Sequence, residues 1–349
     1  MKSSKLLAPT GYGLFQVGAI SILWHQRSFS VGVALLLLSG AAFIVCAAGG
    51  DLSLARTLDA VLGHGDRFDQ LLVRELRMPR LFAGLLSGAA LGVGGCLMQT
   101  LARNRLATPG MVGLDNGATA FAVASIVAVP TSLAPSALAL SGAATAAALT
   151  FLLAAGAGPR GYRFVVVGLG VGALFGALTN LMLARANIDA ANAAYPWTVG
   201  SLNASPTTAV WLLAGGLAIG LPIAKALTRP LKLMQFSDNV AISLGADLPV
   251  ARLITLALSV FLSGLAVAVS GPVGLVALVA PEVARYLCGR HGVPVLNAAL
   301  SGAFLTIIAD WLGRWMLAPV EIPVGIVMAV VGAPYLLWII LRNPEGKHQ

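Results

Sequence analysis

Ten apolar runs, each near the length of a bilayer-crossing helix, constrain this chain more than any motif in it. A spanning helix needs about 20 apolar residues, with a range of about 17 to 25, and hydrocarbon offers the backbone no partner outside its own segment. The runs fall at 31–48, 81–101, 109–130, 135–157, 163–186, 206–227, 251–270, 273–288, 296–316 and 323–341. Only 10% of the 349 residues are charged and 58% are hydrophobic, where a soluble domain carries about 25% charged. The fold class expected is therefore all-α, a polytopic membrane protein of about ten transmembrane helices. Residues 1–30 read as a cytoplasmic N-terminal segment in which 14–24 lie along the membrane surface. Gly11, Gly13 and Gln16 break its apolar patch, so a cleaved signal peptide is not expected. Residues 31–349 read as one transmembrane domain with a cytoplasmic coupling loop at 228–250.

An even number of spans returns both termini to one side. With the N-terminus inside, the 22 Lys and Arg residues divide fifteen inside to seven outside, and excess positive charge marks the cytoplasmic face. The net charge of +9 follows from that bias and does not point to nucleic acid. One stretch goes against it. Arg56, Arg67, Arg74, Arg77 and Arg80 all fall in the outer loop that leads into the second span.

Small residues recur every four positions at Gly84, Gly88, Gly92 and at Gly168, Gly172, Gly176. Such stripes make smooth grooves for tight helix packing within the bundle or across a homodimer contact. "LLSGAALGVGG" (85–95) and "FLSGLAVAVSG" (261–271) agree at six of eleven positions while running in opposite senses, as inverted repeats do. Cys46, Cys96 and Cys288 sit singly in apolar runs and read as core fillers. No H-E-x-x-H, G-x-S-x-G or G-x-x-x-x-G-K-[ST] pattern occurs. No catalytic residue, cofactor or metal ligand is assigned, and any ATP hydrolysis belongs to another chain.

Three carboxylates fall inside the spans: Asp115, Glu282 and Asp310. The spacing predicts an Asp310–Arg314 pair near the outer surface and a Glu282–Arg285 pair near the inner end. A proton-coupled secondary transporter, the competing reading, would instead place Glu282 or Asp115 in a central cavity. Residues 186–206, "ANIDAANAAYPWTVGSLNASP", are polar and interrupted by Pro196, Gly200 and Pro206; 270–281 are broken by Gly271, Pro272, Gly274 and Pro281. Both read as irregular backbone lining a cavity. Residues 225–252 alternate charged and apolar positions. There Ser237 or Asp238 is expected to cap a short helix that stops at Gly245 and either docks in a groove of a soluble partner or rests on lipid.

Four stretches together, "RMPRLFAGLLSGAALGVGGCLMQTLARNRLATPGMVGLDNGA", "ISLGADLPVAR", "SGPVGLVALVAPEVARYLCG" and "EIPVGIVMAVVGAPYLLWIILR", resemble the iron-chelate and cobalamin class of ABC importer permeases from about residue 70 onward. The resemblance implies an inverted-repeat, type II importer permease in the bacterial inner membrane with both termini cytoplasmic. It also implies a second permease subunit (homo- or heterodimer), an ATPase dimer, and a periplasmic or lipid-anchored binding protein. Arg77 and Arg80 match the R-x-P-R pattern, and Arg314 matches a further arginine of the surface that receives the binding protein. Ser237, Asp238, Ser243, Leu244 and Gly245 match the coupling segment that meets the ATPase. Asn180, Trp197, Ser201 and Asn203 are assigned to the translocation path, where they offer stacking and neutral hydrogen bonds to a large polar chelate. The chain departs from the resembled pattern at Glu282, where His is usual, and at Arg105, where Pro is usual. "YPWTVGSLNA" is similar to ferric-siderophore permeases and "VALVAPEVAR" to their catecholate subgroup, which favours a ferric siderophore over heme or cobalamin. The expected mechanism is alternating access.

Overall fold

The computed structural model describes residues 12–17, 20–50, 52–127, 134–154, 162–203, 205–236, 238–289 and 292–342. Each of the ten expected spans holds one helix of at least 14 residues: α1 (Gln26–Ala48), α4 (Met78–Ala102), α5 (Leu114–Val127), α6 (Pro135–Leu153), α7 (Tyr162–Arg185), α9 (Thr207–Leu233), α11 (Leu248–Ser270), α12 (Gly274–Cys288), α13 (Val295–Trp315) and α14 (Val324–Arg342). Seven helices among the described residues are long and apolar enough to cross a membrane unaided, while α5 is one of the shorter apolar helices. Four short helices lie between them: α2 (Leu54–Leu62), α3 (Arg67–Gln70), α8 (Ile188–Val199) and α10 (Asp238–Ser243).

Helix α3 runs into α4 without interruption through π-helical turns at Leu71–Arg77, so 36 residues form one rod. The wide turns come just before Pro79, which has no N–H to give and whose ring crowds the carbonyl four residues back. Helix α4 is the bundle's central post, buried along most of its length. A Cβ on Gly88 would lie 2.3 Å from the Gly302 carbonyl oxygen, and one on Gly92 would lie 2.2 Å from that of Ala298. The first glycine stripe therefore seats α13 backbone to backbone, which is how helices gain contact in lipid, where apolar burial drives little. The second stripe is used only in part. Gly168 receives the 3₁₀ turn Pro109–Val112, with a Cβ there 2.0 Å from the Met111 carbonyl, whereas Gly176 faces open space.

The two helices that hold the stretches read as inverted repeats pack on each other. Ser259 Oγ donates to the Gly94 carbonyl at 2.7 Å, and Arg103 at the end of α4 meets Asp238 just ahead of α11, so α4 and α11 run antiparallel. Helix α4 thereby defines two ends of the bundle. One carries α10; the other carries Arg80.

Residues 14–24 fall within a hairpin: Tyr12–Val17 (β1) and Ile20–His25 (β2) pair antiparallel, with Tyr12 opposite His25 and Val17 opposite Ile20. Two sequence expectations differ from the structure. Residues 188–199 are helical rather than irregular. Asn187 caps α8, its Oδ1 accepting from the Ala190 N–H at 2.7 Å, and the helix carries Pro196 inside before it stops at Gly200. The loop at the α10 end is shorter than 228–250, because α9 continues through Pro230 to Leu233 and α11 starts directly after its cap Asp247.

Candidate functional site

At the Arg80 end the expected arginines converge, and each is held by its own chain. Arg80 places Nε 3.0 Å and Nη2 2.9 Å from Asp310 Oδ1, and Nη1 2.8 Å from Glu321 Oε2. Arg314, one turn after Asp310 as its spacing predicts, brings Nε to 3.3 Å from Asp310 Oδ2. That contact is close enough for charge attraction but too poorly aligned for a hydrogen bond. Side chains of Arg80 and Arg314 are only 15% and 16% exposed, and Asp310 only 3%. Arg77 does different work. Its Nη1 donates to the carbonyls of Ala47 at 3.1 Å and Ala48 at 2.7 Å. It thus caps α1, which has no basic residue in its own last turn, where a cation also suits the negative end of the helix dipole. Sequence reasoning missed Asp310 and Glu321 as partners of Arg80, because they lie more than two hundred residues away along the chain.

At the opposite end, the segment expected to meet the ATPase is pinned by its backbone and leaves apolar side chains outward. Arg103, in the left-handed region at φ +51, donates from Nε to the Met234 carbonyl at 2.8 Å and from Nη2 to the carbonyls of Met234 and Phe236. Asp238 pairs with Arg103 at 3.3 Å and Arg252 at 2.6 Å. Helix α10 then makes fewer than two turns, held inward by buried Ala241. It ends as expected at Gly245, whose φ of +82 suits a residue without a Cβ. The Gly245 and Ala246 N–H groups close on the carbonyls of Ile242 and Ala241. Ser243 Oγ turns back to the Val240 carbonyl at 2.9 Å. Phe236, Val240, Ile242 and Leu244 are all exposed, Leu244 at 57%. Ser237 lies outside the described residues.

Beside this segment opens a cavity of about 670 Å³, lined by Arg103, Arg105, Glu282, Arg285, Tyr335 and Trp338 among others. The expected Glu282–Arg285 pair is present at 2.7 Å, and Arg285 Nη2 also reaches Gln99 Oε1. Arg105 Nη1 stands 3.8 Å from Glu282 Oε2. The two positions at which the chain departs from the resembled pattern therefore face each other.

The four residues expected to line the path are brought together only in part. Trp197 packs beside Leu114, Ala118 and Val267, and its carbonyl accepts from Thr119 Oγ1 at 3.2 Å. Ser201 N–H donates to the Ser270 carbonyl at 2.8 Å, and Gly325 N–H donates to the Gly200 carbonyl at 3.1 Å. The two segments broken by Gly and Pro thus meet at one junction with the start of α14. Asn203 is exposed beside it, and its N–H donates to Ser201 Oγ at 3.2 Å. Asn180 is exposed on α7, and no described hydrogen bond ties it to this junction.

The sequence profile of the FecCD transport family matches residues 33–342. The chain is 33% identical over 299 residues to the Fe(3+)-citrate import system permease protein YfmD of Bacillus subtilis (strain 168), covering 85% of this chain and 89% of that one. It is 33% identical over 297 residues to the ferric enterobactin transport system permease protein FepG of Escherichia coli (strain K12), covering 85% and 90%. A solved structure described as an inward-facing metal-chelate type ABC transporter superposes with a TM-score of 0.75 at 23% identity, over 90% of this chain and 100% of that one, and so shares the fold. With the ten expected helices in place and the family's profile running nearly end to end, the chain belongs to the FecCD transport family, the membrane permeases of iron-chelate ABC transporters.

Proposed function

We propose that this chain is the permease of an importer that carries a ferric siderophore of the catecholate type into the cytoplasm by alternating access. The α10 end faces the cytoplasm and receives an ATPase dimer. The Arg80 end faces the periplasm and receives the binding protein. A second permease subunit completes the path, with Trp197, Ser201 and Asn203 at the α8–α11–α14 junction and Asn180 on the adjoining surface.

One observation carries the reading: the exposed Phe236, Val240, Ile242 and Leu244 on a segment whose backbone is clamped by Arg103. Exposed apolar groups on a rigid turn are what a groove in a soluble partner captures. The basic bias of the loops on that side supports its cytoplasmic orientation. At the other end, charge reversal at Arg314 should weaken capture of an acidic binding-protein lobe, more so at low salt.

The test is uptake of ⁵⁵Fe-labelled ferric catecholate by vesicles that hold this chain with its ATPase and binding protein. Uptake should require ATP and both partners. Accumulation by this chain alone in a pH gradient would contradict the reading.

A further inference from the structure

The cavity at the α10 end has a charge excess that the ion pairs around it do not use up. Among the described residues, three arginines line it against one carboxylate, Glu282. Arg285 spends its charge at 2.7 Å from that carboxylate. Arg103 is occupied by two carbonyls and by Asp238. Arg105 differs from both: its side chain is 52% exposed, and its ion-pair contact, to Glu282, is long at 3.8 Å. Among the described arginines of the cavity it is the most exposed and the least tightly paired. Around it stand Tyr286, Tyr335 and Trp338, the last two with ring centroids 6.1 Å apart and stacked, and the amides of Asn104 and Gln235. Cation, aromatic faces and amide donors together suit a bulky anion that presents ring or carboxylate oxygens. The cavity's volume of about 670 Å³ falls within the roughly 300–1,000 Å³ of small-molecule sites.

We propose that this cavity is an exit subsite selective for anionic iron chelates, with Arg105 as its anion-binding group and Glu282 as a built-in competitor. In the empty cavity the Glu282 carboxylate holds Arg285 and attracts Arg105. An arriving chelate takes Arg105 from it, and the same carboxylate then repels the chelate toward the cytoplasm. The inference rests on the permease reading and adds to it that the net negative charge of the chelate is what the exit side of the chain recognises.

The experiment measures equilibrium binding of ⁵⁵Fe-labelled ferric dicitrate, and of a neutral ferric trihydroxamate, to the full chain in lipid nanodiscs at two salt concentrations. The anionic chelate should bind more tightly and lose affinity as salt rises. Arg105→Gln should weaken it about tenfold, the scale of one nearby unit charge, while Arg105→Lys should retain most of the affinity. Glu282→Gln should tighten binding, opposite in sign to Arg105→Gln. If the pair is only a structural latch, both substitutions will shift binding in the same direction, and the inference falls. Equal binding of the two chelates, no binding of either, or full competition by iron-free citrate or inorganic phosphate would also overturn it. None of these outcomes touches the permease reading, which stands or falls on ATP-dependent uptake.

Discussion

The two ends of the bundle solve opposite problems with the same residue type. At the Arg80 end, guanidinium groups turn inward: Arg80 and Arg314 close on Asp310, and Arg77 caps α1. At the α10 end, Arg103 turns to carbonyls and Asp238, and apolar side chains are left outside. The first arrangement makes charge part of the core, where breaking one contact strands another. The second makes charge a brace for a surface that is itself apolar. Helix packing cannot explain the difference, since α4 supplies an arginine at each of its ends.

Substitutions that separate stability from partner capture test this contrast. Arg80→Leu should have the largest effect. It leaves Asp310, with a side chain only 3% exposed, facing Arg314 alone, and removing one partner of a buried pair costs about 3–5 kcal/mol. Thermal unfolding in lipid nanodiscs should show it, and a wild-type melting point would mean the cluster is decorative. Arg103→Gln comes next, at about 1.5–3 kcal/mol for charge-assisted hydrogen bonds to the Met234 and Phe236 carbonyls. Limited proteolysis should then cut faster between α9 and α11, and an unchanged rate would show that the brace is not needed.

Asp238→Asn should cost at most about 1 kcal/mol, because its pairs with Arg103 and Arg252 lie near the surface. Its difference from wild type should vanish in high salt. A loss as large as that of Arg80→Leu would erase the distinction between the two ends. Smallest of all, Leu244→Asp should leave stability within about 0.5 kcal/mol of wild type, since that side chain is already 57% exposed.

The spans were legible because lipid imposes a strict rule on each segment separately: an apolar stretch of the right length has no alternative to a helix. Pairs one turn apart, Asp310–Arg314 and Glu282–Arg285, were legible for a similar reason, as helical periodicity fixes them locally. Residues joined across the fold were not. Nothing near Arg80 announces Asp310 or Glu321, and nothing near Arg105 announces Glu282. Helix α8 was misread because Pro196 and a polar composition argue against a helix, although Asn187 was a usable capping signal. Arg77 was read by its pattern as a surface residue, but its geometry also gives it a structural duty at the end of α1.

In the proposed function, the exposed apolar turn around Leu244 is where the ATPase couples. The direct measurement is retention of the ATPase subunit by the Leu244→Asp chain when the two are produced together and purified from membranes. The expected result is a correctly folded permease, with a wild-type melting point, that loses its ATPase by at least about tenfold, as when a hot-spot apolar contact is replaced by a charge. A Leu244→Asp chain that keeps its ATPase and imports the chelate at the wild-type rate would contradict it.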